Sequence, residues 1–191
     1  MQNKLLKKAL STVSTELSHR DTMDDYLDDL LPEMKPWSED LLETEFYLKK
    51  PFLEIRDVDD FHETILHIFN PDDEYLYSID GNVTKGKWKI LEKTNKLMIE
   101  KKQGDKVVIT ELYDLSFLNN HFLILKKHGD QTRLGQKKYL ALGFEPLVKK
   151  LEWRDFVELL HEDFLGQNKF VKALMALIVL LILLAIFFSL R

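Results

Sequence analysis

The chain has 191 residues, no cysteine and a formal net charge of −5 at neutral pH, which fits one domain with appendages. The missing cysteine excludes a disulfide framework, a thiolate metal site and a cysteine nucleophile. Residues 21–63 carry fifteen acids against four bases, and no basic, aromatic-studded face is present, so a nucleic-acid partner is not expected.

Residues 1–19 lack the continuous apolar core of a secretion signal, so the N-terminal domain is expected to stay on the cytoplasmic side. Leu6, Leu10, Val13 and Leu17 recur at helical spacing beside Lys4, Lys7 and Lys8. That pattern suits a basic amphipathic helix on a membrane surface or partner, and equally a helix packed on its own domain. A second helix is predicted over Asp24–Leu31, ended by Pro32. Pro36 holds the next stretch open, and Ser38 has the chemistry of an N-cap for a helix over residues 39–48. Asp24, Asp25, Asp28 and Asp29 lack the glycine and distal glutamate of a calcium loop and read as a solvated acidic face.

From Phe52 the apolar period becomes two. Eight strands are predicted over residues 52–56, 64–69, 74–79, 86–91, 96–101, 106–112, 121–127 and 137–144. Turn residues separate several of them, Asp80-Gly81-Asn82 most clearly. Tyr75, Tyr77 and Ile79 should share one face, as should Trp88 and Ile90. Short connections between so many strands imply an antiparallel meander closing into a small barrel or a strongly curved sheet.

The stretch from Gly86 to Lys127 resembles the repeating core of lipocalin-like (calycin-type) domains. It has a Gly-x-Trp strand, a short apolar strand over Lys96–Glu100, and then Ile109, Leu112, Asp114, Leu115 and Leu118 in the pattern of a strand, a polar turn and an apolar strand. The resemblance implies a small β-barrel and, by extension, an apolar ligand. It covers roughly a third of the chain, and here the Gly-x-Trp falls in mid-barrel instead of on the first strand.

After Pro146 the helical period returns. Trp153, Val157, Leu160 and Phe164 form a stripe on a juxtamembrane helix that Gly166 is expected to stop. The stripe serves either to cap the barrel or to contact a protein partner, and these four are the candidate partner-binding residues. Residues 173–190, ALMALIVLLILLAIFFSL, hold no charge and one hydroxyl, and as a helix would be about 27 Å long, close to a bilayer's hydrocarbon thickness. Ala173, Leu177, Leu180, Leu184 and Phe188 mark the expected anchor. Its place at the C-terminus, with Lys169 and Lys172 before it, gives a single-pass tail anchor and a cytoplasmic N-terminal domain.

Signatures of catalysis fail on inspection. Gly81 to Lys87 has P-loop spacing, but Trp88 stands where a Ser or Thr must hold magnesium, and the following residues alternate like a strand. His62 and His67 lie five apart, one too many for a zinc-protease helix, and read as ordinary polar residues. No serine lies in a Gly-x-Ser-x-Gly elbow. The expected organisation is a helical segment (1–48), a mainly β, lipocalin-like antiparallel domain (49–145), a juxtamembrane amphipathic helix (146–168) and a transmembrane anchor (169–191). The expected function is a non-enzymatic, membrane-tethered binding or assembly module with no metal or cofactor. The alternative is a binder of a lipid or other apolar molecule.

Overall fold

The computed structural model describes residues 19–58, 63–91, 94–103, 106–129 and 137–189, with side chains of 103, 106, 167–176 and 183–189 left aside. The basic stripe at Leu6, Leu10, Val13 and Leu17 lies outside the described residues. Eight strands follow one another in sequence order and close into an antiparallel barrel. They are β1 (Pro51–Ile55), β2 (Ile65–Phe69), β3 (Glu74–Ile79), β4 (Asn82–Ile90), β5 (Lys96–Gln103), β6 (Lys106–Leu118), β7 (Phe122–Lys127) and β8 (Tyr139–Phe144). β8 pairs back onto β1, with Phe52 opposite Phe144 and Ile55 opposite Ala141, so the sheet has no free edge. All eight predicted strands are present. The Asp80-Gly81 turn has φ of 48° and 85°, the pair of positive values that suits a two-residue hairpin to the strand twist.

Alternation along the strands separates two cores. Inward-facing Phe52, Phe69, Tyr75, Trp88, Leu97, Leu118, Leu123 and Leu142 fill one end of the lumen, joined by Tyr47 and Leu41 from the segment before β1. Outward-facing Ile55, Phe117, Phe122, Ile124, Tyr139 and Ala141 form the second core beneath two helices. These are α1 (Met23–Met34) and α3 (Trp153–Ser189); a single turn, α2 (Glu145–Val148), links β8 toward α3. Phe122 therefore points outward, where its ring meets Phe156 at 5.5 Å, and does not help fill the lumen.

Gly86 on β4 leaves no room for a side chain against β5. A Cβ there would lie 2.0 Å from the Glu100 carbonyl oxygen and 3.0 Å from Tyr75. Gly86→Ala forces the two strands apart, and a loss of about 3 kcal/mol is expected. Gly81→Ala has open space around it and is expected to cost about 1 kcal/mol, through its positive φ alone. Parallel thermal melts check the contrast, and equal shifts would refute it.

Several local expectations are corrected. α1 runs through Pro32 to Met34, because Leu30, Leu31 and Met34 are buried on the barrel and hold the last turn, which Lys35 closes onto the Leu31 carbonyl. Residues 39–48 form turns and one 3₁₀ turn at Thr44–Phe46. Ser38 caps no α-helix: its hydroxyl accepts from the Leu118 N–H (2.9 Å) and donates to the Glu39 carbonyl (2.9 Å). Asp114 and Leu115 lie inside the long β6, where an irregularity between Leu115 and Phe117 takes the place of the expected turn. Gly166 does not stop its helix, since α3 continues past it to Ser189.

The acidic face of α1 is solvated at Asp25, Asp28 and Asp29, which are exposed, and Asp24 and Asp28 also dock the helix. Asp24 accepts from the Lys138 N–H (2.9 Å), and Asp28 accepts from the Lys138 ammonium (2.6 Å) and the Tyr139 hydroxyl (2.7 Å). Asp29 pairs with Arg20, and Asp25 bonds the N-cap Thr22. α3 runs alongside α1 in the same direction. Tyr26 meets Trp153 at 5.9 Å near their starts, and Glu33 faces His161 further along. Among the described residues no helix is long and apolar enough to cross a membrane. Of the expected span only the side chains of residues 177–182 are described, so those of Ala173, Leu184 and Phe188 are not among them.

Candidate functional site

The two ends of the lumen differ in chemistry. At the end reached by the β2–β3, β4–β5 and β6–β7 connections, aromatic rings interlock. Trp88 meets Tyr47 edge-on at 5.7 Å and Phe69 at 6.0 Å. At the other end the inward positions turn polar: Glu54 after Phe52 on β1, His67 before Phe69 on β2, Lys101 after Ile99 on β5, Glu111 before Tyr113 on β6, and Lys127 after Leu125 on β7. Here a cavity of about 270 Å³ opens, lined by Glu54, Arg56, Lys101, Glu111, Lys127 and Lys137, with Tyr113, Tyr139 and Leu140.

A hydrogen-bonded relay joins the cavity to the aromatic core. His67 is fully buried, with Nε2 3.0 Å from a Glu54 carboxylate oxygen and Nδ1 2.6 Å from the Tyr75 hydroxyl. The carboxylate can only accept, so Nε2 carries the proton and Nδ1 accepts from Tyr75. Glu54 accepts a further bond from Arg56 Nε at its other oxygen. Burial would raise the Glu54 carboxyl, but the bonds from His67 and Arg56 outweigh it and hold it at about 2. Burial lowers the His67 imidazole, only partly offset by Glu54, so the ring is neutral in the fold. Burial pushes Tyr75 well up, keeping its hydroxyl a donor.

Across the cavity Glu111 accepts from Lys127 (2.8 Å) and from the Tyr113 hydroxyl (2.9 Å), with Lys101 Nζ 3.7 Å away. Burial opposes ionisation of Glu111, yet these partners hold its carboxyl below the ordinary value. Lys101 also lies over the Tyr77 ring at 4.4 Å. The Lys137 ammonium is buried without a hydrogen bond among the described residues, its nearest anion being Asp57 at 3.5 Å. Burial lowers its affinity for the proton.

The relay makes acid sensitivity a test of this geometry. Folded His67 resists the proton that the unfolded chain accepts below about pH 6.5, so its contribution to stability falls as pH drops through that value. Glu54, depressed from 4.5 to about 2, contributes fully above 4.5 and loses that contribution as pH falls toward 2. Both slopes have the same sign. The wild-type melting temperature is expected to fall from pH 7 to pH 5. His67→Gln should flatten most of that fall, leaving the half-buried His161, also lowered by burial, to supply the remainder. An unchanged slope would remove His67 from the relay.

The candidate partner-binding residues are largely used within the chain. Val157, Leu160 and Phe164 are buried against α1 and the barrel wall, and Trp153 is half-buried between Tyr26 and Arg154. They offer little surface to a partner because α3 lies on the barrel. Of the anchor residues, Leu177 and Leu180 are exposed. His62 is outside the described residues. His67, read as an ordinary polar residue, proves central. The signal was its phase: it alternates with Ile65 and Phe69, so any strand there points it inward. His121 pairs with Asp163 and His128 with Asp114, both across elements. Among the described residues no group of three or more acidic or histidine side chains could hold a metal ion.

No family model, curated protein or solved structure matches this chain. The likeness to lipocalin-like domains therefore rests on the eight-stranded antiparallel barrel itself.

Proposed function

We propose that the chain is a non-enzymatic, membrane-tethered binding module whose barrel displays a ligand cavity on the cytoplasmic side. One observation carries this reading: the molecule has opposed ends. Asn119, in the β6–β7 turn, donates to Asp163 (2.7 Å), so α3 leaves the barrel at its packed, aromatic end, and the cavity opens at the other. Beyond Phe164 the helix runs a further 25 residues to Ser189 (189 − 164), about 37 Å of rise. Within it Leu177, Ile178, Val179, Leu180, Leu181 and Ile182 are each 42–56 % exposed. Six successive positions at 100° apart circle the helix, so apolar surface faces every direction, a distribution that suits lipid and not water.

The apolar-ligand alternative draws on the barrel fold. Against it, the apolar half of the lumen is filled by fully buried Tyr47, Phe52, Phe69 and Tyr75, and the cavity that remains is lined by charge. Carbonate extraction of membranes carrying the full chain, with protease digestion of an N-terminal tag in sealed vesicles, tests the tether. Carbonate-resistant pelleting with a digestible tag on cytoplasm-out vesicles is expected. Release by carbonate, or a protected tag, would overturn the reading.

A further inference from the structure

We infer that the cavity at the open end of the barrel binds a small, multiply charged anion, of the size of phosphate or a dicarboxylate. The inference rests on reading the barrel as a binding module and names its ligand class. Four cationic side chains line the cavity, Arg56, Lys101, Lys127 and Lys137, against two lining carboxylates, Glu54 and Glu111, and Asp57 behind Lys137 offsets one of the two surplus charges, leaving a net excess of one cation. Glu54 and Glu111 are each engaged by hydrogen bonds from within the wall, so they act as fixed counter-ions that orient the cations. Lys137 supplies the independent observation. Its ammonium is buried with three donors and no hydrogen-bond acceptor among the described residues, and Asp57 stands off at 3.5 Å. One long ion pair leaves most of the ammonium's donors unfilled in a buried position, which is costly, and an anion entering the cavity supplies closer acceptors.

Size and position restrict the ligand further. A cavity of about 270 Å³ lies at the small end of the range for organic ligands and has no room for a long acyl chain. It faces away from the end where α3 departs, so a headgroup of the membrane that holds the anchor is not presented to it. The anion therefore comes from solution. Charged walls close together also favour a ligand of matching opposite charge over a neutral one, since each interaction is stronger away from bulk water.

The test uses the full chain in mild detergent, with inorganic phosphate and succinate as probes and chloride at matched ionic strength as reference. Titration calorimetry is expected to give one saturable site for phosphate or succinate, and the arm that saturates identifies the anion. Lys137→Met keeps the side chain's apolar stem and removes its charge; it should weaken that site at least tenfold. Lys87→Met, on the exposed face of β4, should leave it unchanged. Lys101→Met provides a second variant should Lys137→Met fail to fold. Equal heats for chloride and both probes, or saturable binding indifferent to Lys137→Met and Lys101→Met, would overturn the inference. Glucose and a fluorescent fatty acid are run in parallel. Binding of either without an anion would sink the anion assignment and leave the binding-module reading standing, whereas binding of none of the four would remove both.

Discussion

Trp88→Ala is expected to destabilise the barrel by about 3–5 kcal/mol, a large part of the 5–15 kcal/mol typical of a domain. Trp88 is 7 % exposed at the packed end of the lumen, where its ring touches both Tyr47 and Phe69 edge-on. Truncation removes the largest side chain of that layer from a closed barrel, whose strands cannot collapse inward without breaking the pairing of β8 with β1. It also strands an acceptor, because Trp88 Nε1 donates to the Asn70 carbonyl at 2.8 Å. Trp88→Phe separates the two terms: it keeps most of the ring contact and loses the hydrogen bond, so about 1–2 kcal/mol is expected. Thermal melts of the full chain in detergent read both; for Trp88→Ala the midpoint should drop by roughly 10 °C or more. An unchanged midpoint would mean that Trp88 does not face the lumen.

The same residue shows why the barrel was legible. Trp88 and Ile90 stand two apart with Lys89 between, Tyr75 and Tyr77 likewise stand two apart, and a period of two in eight successive short segments leaves few topologies. Helix ends were less legible because burial overrode local propensity. Pro32 reads as a stop, yet Leu31 and Met34 on either side of it are buried and keep the turn wound. Gly166 reads as a cap, yet the helix passes through it because the neighbouring turns are strongly helical and nothing crowds the glycine.

The polar half of the lumen was the least legible part. Glu54, His67, Lys101, Glu111 and Lys127 come from five strands, and no two adjoin in sequence. Each taken singly looks like an ordinary charged residue near a strand end. Only strand phase marks them, and phase becomes informative once closure sends every second residue of each strand to one interior. The stripe on α3 was ambiguous for the opposite reason. An amphipathic helix has the same pattern whether its apolar side meets another protein or its own barrel, and Val157, Leu160 and Phe164 meet the barrel.

On the proposed membrane tether, replacing both Val179 and Leu183 with Arg is expected to abolish insertion and leave the protein in the soluble fraction. Each charge near the middle of a span costs about 2.5–3.5 kcal/mol, and each Val or Leu removed forfeits a further 0.3–0.6, about 6–8 kcal/mol in all. Residues 173–190 hold thirteen Leu, Ile, Val and Phe, whose combined gain is about 4–8 kcal/mol on the same scale, so the pair of charges cancels the whole driving force. One arginine near an end could reach the interface by extending its side chain, but two placed near the middle of the span lie too deep to do so. The barrel should be untouched, since Val179 lies fifteen residues (179 − 164) beyond Phe164, the last core residue on α3. Carbonate-resistant pelleting reads insertion, and far-UV circular dichroism of the released protein reads the fold. A chain ending at Asn168 should behave as the double variant does. Persistent pelleting of that truncated form would place a second membrane-binding element elsewhere, with the basic stripe of residues 1–19 as its first candidate. Pelleting of the double variant alone would show that the span tolerates the charges and that another segment sets the anchor.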